Sequence, residues 1–521
     1  MLCRGVLGGR ISATFVSFSR TLSDSLFSTT PATSTPTRRQ ANKEFDVVIV
    51  GGSFSGLSAA IRLKQEWPAC SVAVLEEAAQ VGRFVLSGAV LEPRALDELL
   101  PSWRTEQPSC LKQRVRNEGL YWLPSQSMRI PLPNFLSDAG QEKYVIDPFS
   151  FLQWLSQRAE SMGICMFSGV SATSPIYDTT SDKEMHVKGV LASPMADRKH
   201  EKEIRFQARL QTIFADGCSG CHHSISQSIM EDHKLNDYAM DDQVYAIGLK
   251  ESWRILPEKV NPGRVFHAVG WPLQPHTFGG SFMYDHGSGY VSLGIVISKD
   301  EPRSELLSVK RKRNKLGVDP FQELQRLKHH PLFRNVIEGG ECVSFGRRLI
   351  PEGGFQSMPK MSFPGGLLIG DAAGMVNVFK IKGIHTSMKS GIIAADVIAK
   401  EFKDKKAQHS GSETLHSFDE AIADSWIVNE DLFPSRNVRP AFKSTRLGLY
   451  GGMLIASIEQ GIFHGRLPFT LRHAPRSTEN KHALCHITYP ENDGVISFDY
   501  SKSMTLRAKD KYDDKKVNLG R

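Results

Sequence analysis

Short apolar runs that stop at small-residue turns and pass into helical spacing recur along this chain. Residues 47–50 (Val-Val-Ile-Val) end at Gly51-Gly52, and Leu57, Ala59 and Ala60 then open a helix. A second strand, "SVAVLEE" (71–77), follows and carries Glu76 near its end. "LQTIFADG" (210–217) repeats the strand and turn at Asp216-Gly217. "FPGGLLIGDAAGMVN" (363–377) does so again, residues 367–369 reading as a buried strand broken by Gly370-Asp371 before a helix. "YVSLGIVISKD" (290–300) alternates like a half-buried strand, and "HTSMKSGIIAADVIAKEF" (385–402) has helical spacing. Strand-turn-helix units in series predict an α/β fold of the doubly wound type.

The first turn resembles the G-x-G-x-x-G dinucleotide fingerprint with Ser at the middle position. Gly51 permits the turn and Gly56 lets the helix pack on the strand, while the third position, Ser53, lets backbone N–H groups and a helix N-terminus approach a pyrophosphate; Gly52 joins the set by the family resemblance given below. Ser53 adds one Cβ and a hydroxyl able to donate to a phosphate. Glu76 falls 20 residues after Gly56, where a carboxylate takes the ribose hydroxyls of an adenosine. At the later turn Asp371 is placed to hold ribityl hydroxyls, and the following helix to aim its positive end at a flavin ring. Gly51, Gly52, Ser53, Gly56, Glu76, Gly370 and Asp371 are therefore the candidate cofactor residues, and the cofactor is FAD.

The length, 521 residues, and a 40% hydrophobic content suit two or three folded domains. Half of the formal charge of +8 belongs to residues 1–40, which carry five arginines against Asp24. The remainder is too small to argue for nucleic acid. That Ser/Thr-rich, arginine-dotted segment has the composition of a mitochondrial transit peptide, the plainer alternative being a disordered tail. No run of 18 apolar residues is present, so any membrane contact is expected to be peripheral.

Eight scattered cysteines suit a reducing compartment. "CSGCHH" (218–223) matches a haem-attachment pattern in form, but it follows the second strand-turn and reads as two thiols there. Neither a Ser-His-Asp set nor a metal-ligand cluster is apparent, and no catalytic acid or base is assigned. His329, His330 and His385 read as surface or structural residues.

Beyond these turns, "VLSGAVLEPRALDELLPSW" (85–103), "VGWPLQPHTFGGSFMY" (269–284), "KHHPLFRNVIEGG" (328–340), "EGGFQSMPKMSFPGGLLIG" (352–370), "KIKGIHTSMKSG" (380–391) and "RNVRP" (436–440) resemble the mitochondrial electron transfer flavoprotein-ubiquinone oxidoreductases. The resemblance runs from about residue 45 to 500. It implies an enzyme on the matrix side of the inner mitochondrial membrane that takes electrons from reduced electron transfer flavoprotein and passes them to ubiquinone. It places the quinone head group on backbone at Gly279 and Gly280, where a side chain would keep a flat ring away; a Gly-Gly β-bulge is the structural alternative. A membrane quinone also needs an apolar rim. "LYWLPSQSMRIPLPNFL" (120–136), an apolar hairpin, and "LGLYGGMLIASIEQGIFHG" (447–465), helical but too short to span a bilayer, are the candidates. Arg466 and Arg472 stand ready for anionic head groups. Packing of the second segment into the protein is the equal alternative, because Glu459 and Gln460 weaken its apolar face.

Three departures accompany the resemblance. The family's C-terminal [4Fe-4S] segment needs four thiolates, whereas residues 372–521 contain only Cys485. A truncated or iron–sulfur-less product that works with FAD alone, or is not catalytic, is the expectation. A basic stretch, "SVKRKRNKLGV" (308–318), interrupts the matching run and reads as a solvated loop. Phe379 stands where the family pattern has proline.

The expected architecture has a transit peptide (1–40), a discontinuous FAD domain (45–110, 140–235 and 350–400), an inserted β-rich ubiquinone-binding domain (240–345), a helical membrane-contacting region (405–500) and a tail (501–521). A reductase or monooxygenase of the geranylgeranyl-reductase type, sharing the flavin turns, is the rival.

Overall fold

Val47, Val48 and Ile49 are fully buried and Val50 nearly so, as a strand covered by helices on both faces requires. They belong to Ala41–Val50, central in an eight-stranded sheet of the computed structural model, which describes residues 41–83, 85, 89–133, 141–179, 185–195, 203–215, 225–299, 318–403, 413–444, 448–473 and 489–506. The segment 1–40, the turn at 216–217 with "CSGCHH", most of the basic stretch 308–318 and the end of the tail lie outside the described residues.

Ala41–Val50 pairs in parallel with Val72–Glu76 on one side and Ile204–Phe214 on the other. Cys165–Ser168 extends the parallel array beyond 72–76, and Gly366–Leu368 extends it beyond 204–214. These five parallel strands with crossover helices are the doubly wound α/β frame that the turns predict. Helix Phe54–Glu66 makes the first crossover and packs on helix Ile384–Phe402. The contact is backbone to backbone, since a Cβ on Gly391 would run into the Ser55 carbonyl.

The second sheet has seven strands in the order Glu341–Pro351, Tyr245–Arg254, Tyr290–Lys299, Gly279–Asp285, Arg264–Gly270, Asn117–Leu123 and Ile130–Leu132. Neighbours are antiparallel except 264–270 with 117–123. The apolar hairpin expected at 120–136 is, over its described residues 120–133, the edge of this sheet, joined to it by a long-range parallel pairing that no local pattern announces.

One face of the second sheet forms a core with helices Pro320–Leu327 and Pro331–Ile337 and with Ile496 and Phe498. Within it Lys328 Nζ lies 3.0 Å from both carboxylate oxygens of the fully buried Glu251, and Trp253 stacks on Phe498 at 5.7 Å between ring centroids. Strand 290–299 corrects the half-buried expectation. Val291, Leu293, Ile295 and Ile297 enter that core, while Ser292 and Gly294 are buried on the opposite side, so its alternation separates a large apolar face from a small one.

Candidate functional site

Gly51 has φ +110°, which a residue with a Cβ avoids. A Cβ on Gly56 would strike the Gly51 carbonyl, so glycine lets the helix close on the loop. Ser53 is the helix N-cap, its hydroxyl accepting from the Gly56 N–H at 3.3 Å. The serine that breaks the glycine pattern therefore secures the helix that the pattern needs. Its proton faces the Ala215 carbonyl at 3.2 Å and the Ser55 hydroxyl at 3.0 Å, so donation to a phosphate competes with two partners within the protein. Glu76 accepts from the Gly52 N–H at 3.0 Å and from the Ala78 N–H at 2.9 Å.

The later turn meets the first one. Gly370 has φ +57°, donates its N–H to Ser390 Oγ at 3.0 Å, and would drive a Cβ into the Ser55 hydroxyl. Asp371 lies 3.4 Å from the Ser387 hydroxyl through one carboxylate oxygen and 3.4 Å from an Arg348 Nη through the other. The helix expected directly after this turn begins only at Ile384, beyond a loop; its start still reaches the same space through Gly383, Ile384 and Ser387. Two turns that admit no extra Cβ, an acid at each, and a helix N-terminus make a cradle that suits a dinucleotide.

That cradle opens into a cavity of about 510 Å³, lined by Ser53, Ser55 and Asp371 on one side and by Gly279 and Gly280 on the other. The two glycines begin strand Gly279–Asp285 in regular register with Ile297 and Val296, which excludes a bulge. A Cβ on Gly279 would meet the Val296 carbonyl, and one on Gly280 would come 3.0 Å from the Ala268 carbonyl. Backbone alone fits at Gly279, and Gly280 leaves little room for more.

Phe379, in the position of the family's proline, lines the cavity from the loop 377–382. Asn377 and Lys382 exchange backbone hydrogen bonds across this loop, and Ile381 sits at φ +55°, a strained state for a β-branched residue. Lys382 Nζ pairs with Glu92 at 2.5 Å, and His385 bonds Asp431 at 2.7 Å while stacking on Trp426. His385 is thus structural and buried; His330 caps helix 331–337 by accepting from the Leu332 N–H. Burial pushes the Asp431 carboxyl up, but the His385 hydrogen bond and the Lys380 charge outweigh it and hold the group well below the usual range.

The apolar rim comes from both predicted segments, joined where Trp122 meets the Tyr450 ring at 5.7 Å. Helix Leu449–Gly461 exposes Tyr450, Leu454 and Ile458 at four-residue intervals, and Ile462 continues the stripe; Leu454 is 62% exposed and also lines the cavity. Met128 and Ile130 are exposed on the hairpin. Glu459, expected to weaken the stripe, is 0% exposed and accepts from Asn437 Nδ2 at 2.9 Å, and Gln460 donates to the Pro434 carbonyl at 2.8 Å. The polar pair points inward. Arg472 commits its guanidinium to Asp241 at 2.6 Å, leaving Arg466 exposed near the stripe. Among the described residues no helix is long and apolar enough to cross a membrane.

Three ionisable residues that carry no motif face the same cavity from the second sheet: Lys250, His267 and Tyr284 line or close it. His267 Nε2 is 3.1 Å from the Tyr284 hydroxyl, and Lys250 Nζ lies 5.4 Å from the Phe282 ring centroid and 5.9 Å from that of Tyr284. Burial drives Lys250 down to about 7 despite the opposing charge of Asp147. Burial, with the charges of Lys382 and Lys143, takes His267 down to about 3, and burial with nearby Glu118 raises Tyr284. Their only sequence signal is a polar residue at an inward strand position. Cys70, Cys110, Cys165 and Cys342 form no disulfide, and among the described residues no group of three or more His, Cys, Asp or Glu is placed to hold a metal ion.

The family model for the ubiquinone-binding segment of ETF-QO matches residues 245–350. A probable mitochondrial electron transfer flavoprotein-ubiquinone oxidoreductase of Schizosaccharomyces pombe is 38% identical over 480 residues, covering 89% of this chain and 72% of that protein. The human mitochondrial electron transfer flavoprotein-ubiquinone oxidoreductase is 37% identical over 497 residues, covering 92% of this chain and 76% of that one. Among solved structures, a geranylgeranyl bacteriochlorophyll reductase-like protein of Thermoplasma acidophilum superposes with a TM-score of 0.56 at 17% identity, covering 81% of this chain and 91% of that one. A flavin-dependent halogenase, CmlS, does so with 0.53 at 15% identity, covering 92% and 78%. At these identities the two structures speak to fold alone.

Proposed function

The chain belongs to the electron transfer flavoprotein-ubiquinone oxidoreductase family, and we propose that it passes electrons from reduced electron transfer flavoprotein, through FAD, to ubiquinone at the matrix side of the inner mitochondrial membrane. On this reading the sheet around Ala41–Val50 is the FAD-binding domain and the seven-stranded sheet the ubiquinone-binding one. The observation that carries it is the single cavity bordered by Ser53 and Asp371 at one end, Gly279 and Gly280 beside them, and exposed Leu454 at the rim.

Gly51, Gly52, Ser53 and Gly56 form the tight turn that sets the N-terminus of helix Phe54–Glu66 against the pyrophosphate of FAD, while the Gly51, Gly52 and Gly56 N–H groups hold the turn itself through Leu75, Glu76 and Ser53. Glu76, held by the Gly52 and Ala78 N–H groups, is the acceptor for the ribose hydroxyls, a carboxylate accepting about four hydrogen bonds. Gly370 and Asp371 hold the ribityl side. FAD supplies the redox chemistry when bound; the protein sets its position and surroundings. At Gly279 and Gly280 backbone groups approach the quinone ring. The stripe Tyr450, Leu454, Ile458 and Ile462 enters the acyl boundary, bringing the cavity rim to the lipid where the quinone tail resides.

The test is reduction of a ubiquinone analogue by the purified, FAD-loaded chain with enzymatically reduced electron transfer flavoprotein as donor and iron assayed in the same sample. Turnover supports the reading, and turnover without iron adds that FAD suffices. A flavin that the donor reduces but that passes nothing to the quinone overturns it; a flavin reduced by NADPH instead favours the small-molecule reductase.

A further inference from the structure

Ubiquinone becomes ubiquinol by taking two electrons and two protons, and the protons need a donor within the cavity. We infer that Lys250, supported by the His267–Tyr284 pair, is the proton donor to the quinone oxygen in this cavity. The inference rests on the quinone reading of the site.

Placement comes from sheet register. Gly248 and Gly280 both oppose Val296, and two residues along both strands Lys250 and Phe282 both oppose Gly294. Lys250 therefore shares the face of the sheet toward which Gly280 turns, whereas Gly279 opposes the core residue Ile297. Glycine at 294 leaves the gap across which Lys250 reaches Phe282, because a Cβ there would come within 2.5 Å of the Phe282 ring. Around the quinone subsite the lining is mainly apolar (Leu249, Phe278, Phe282, Val296), so a side chain has to carry protons that bulk water does not bring.

A lysine poised near neutrality both gives up and regains a proton at working pH. His267 stays neutral, and a neutral imidazole accepts on one nitrogen and donates from the other. Its Nε2 meets the Tyr284 hydroxyl, while its Nδ1, nine-tenths buried and more, has no hydrogen-bond partner among the described residues. The charged and titratable groups facing the set are Asp147 and His286 toward Lys250, Lys143 and Lys382 toward His267, and Glu118 toward Tyr284. Glu118 and Lys143, ion-paired at 2.9 Å, also line a separate open polar cleft of about 810 Å³, which offers the set a way to water.

Two electrons from the reduced flavoprotein and two protons convert one quinone to quinol. Each proton leaves Lys250 Nζ as an N–H bond breaks and a quinone O–H bond forms, and the neutral amine is reprotonated from water before the next transfer.

The experiment compares the FAD-loaded wild-type chain with Lys250→Met, of similar length but unable to ionise, and Lys250→Arg, which keeps a charge but does not release its proton. Flavin content, flavin reduction by the donor and binding of a quinone analogue by tryptophan-fluorescence quenching are followed with quinone reduction across the neutral pH range. The wild-type kcat should fall as pH rises through about 7, where the ammonium is lost. Both variants should lose about 100-fold in kcat and the pH dependence with it, at unchanged flavin content and analogue affinity. A variant with kcat near wild type and the same pH profile overturns the inference while the quinone reading stands. A wild-type chain whose reduced flavin passes nothing to the quinone overturns both.

Discussion

The Gly52 N–H donates to Glu76 Oε2 at 3.0 Å, tying the tip of the first glycine turn to the acid at the end of the neighbouring strand. One carboxylate thereby shapes the loop and is the proposed ribose ligand. Glu76→Gln leaves an amide whose nitrogen cannot accept from Gly52 or Ala78. Retained FAD per chain should fall about tenfold, and stability by about 1–3 kcal/mol, as for a buried donor left without its acceptor. Flavin absorbance after gel filtration, together with urea unfolding, reads both.

Gly280→Val places a branched side chain on the cavity face, where even its Cβ would come 3.0 Å from the Ala268 carbonyl. A KM for the quinone analogue raised at least about tenfold is expected, with FAD content unchanged, because an overpacked site costs about 1–3 kcal/mol. Equal loss of flavin would show that residue 280 supports the fold and not the subsite.

Leu454→Glu puts a charge into the middle of the exposed stripe without touching the FAD turns. A fully buried leucine side chain is worth about 1.5–3 kcal/mol, so partition onto vesicles should drop at least about tenfold, measured by flotation. Unaltered partition would remove helix Leu449–Gly461 from the membrane face.

Asp431 is held below the usual carboxylate range. A depressed acid contributes stability that is present above its unfolded pKa, about 3.9, and is lost as pH falls through the folded value. Wild-type stability should therefore decline below about pH 4 on this group's account. Asp431→Asn should be less stable by about 3 kcal/mol at neutral pH, because it removes the buried carboxylate nearest Lys380 and His385 and leaves Glu92, 3.5 Å from His385, as the remaining one. The difference from wild type should narrow in acid, as urea unfolding across pH will report.

The sequence by itself determined the elements and turns whose causes are local. Residues 47–50 had to be a buried strand, Gly51 and Gly56 a tight turn under a helix, and Gly370-Asp371 another break, because backbone sterics and hydrophobic period act within a few residues. The stripe at 450, 454 and 458 is likewise readable from helical spacing, although only packing decided that Glu459 turns in to Asn437 and spares it.

Only the tertiary structure decided what stands opposite what. Asn117–Leu123 joins Arg264–Gly270 in parallel across a long stretch of chain, which makes the expected apolar hairpin a sheet edge. Lys250, His267 and Tyr284 come from three strands and share one cavity with turns at 53 and 371. No spacing rule connects them. Their ionisation departs from ordinary values because of burial, a property that a residue acquires from the rest of the fold and not from its neighbours in sequence.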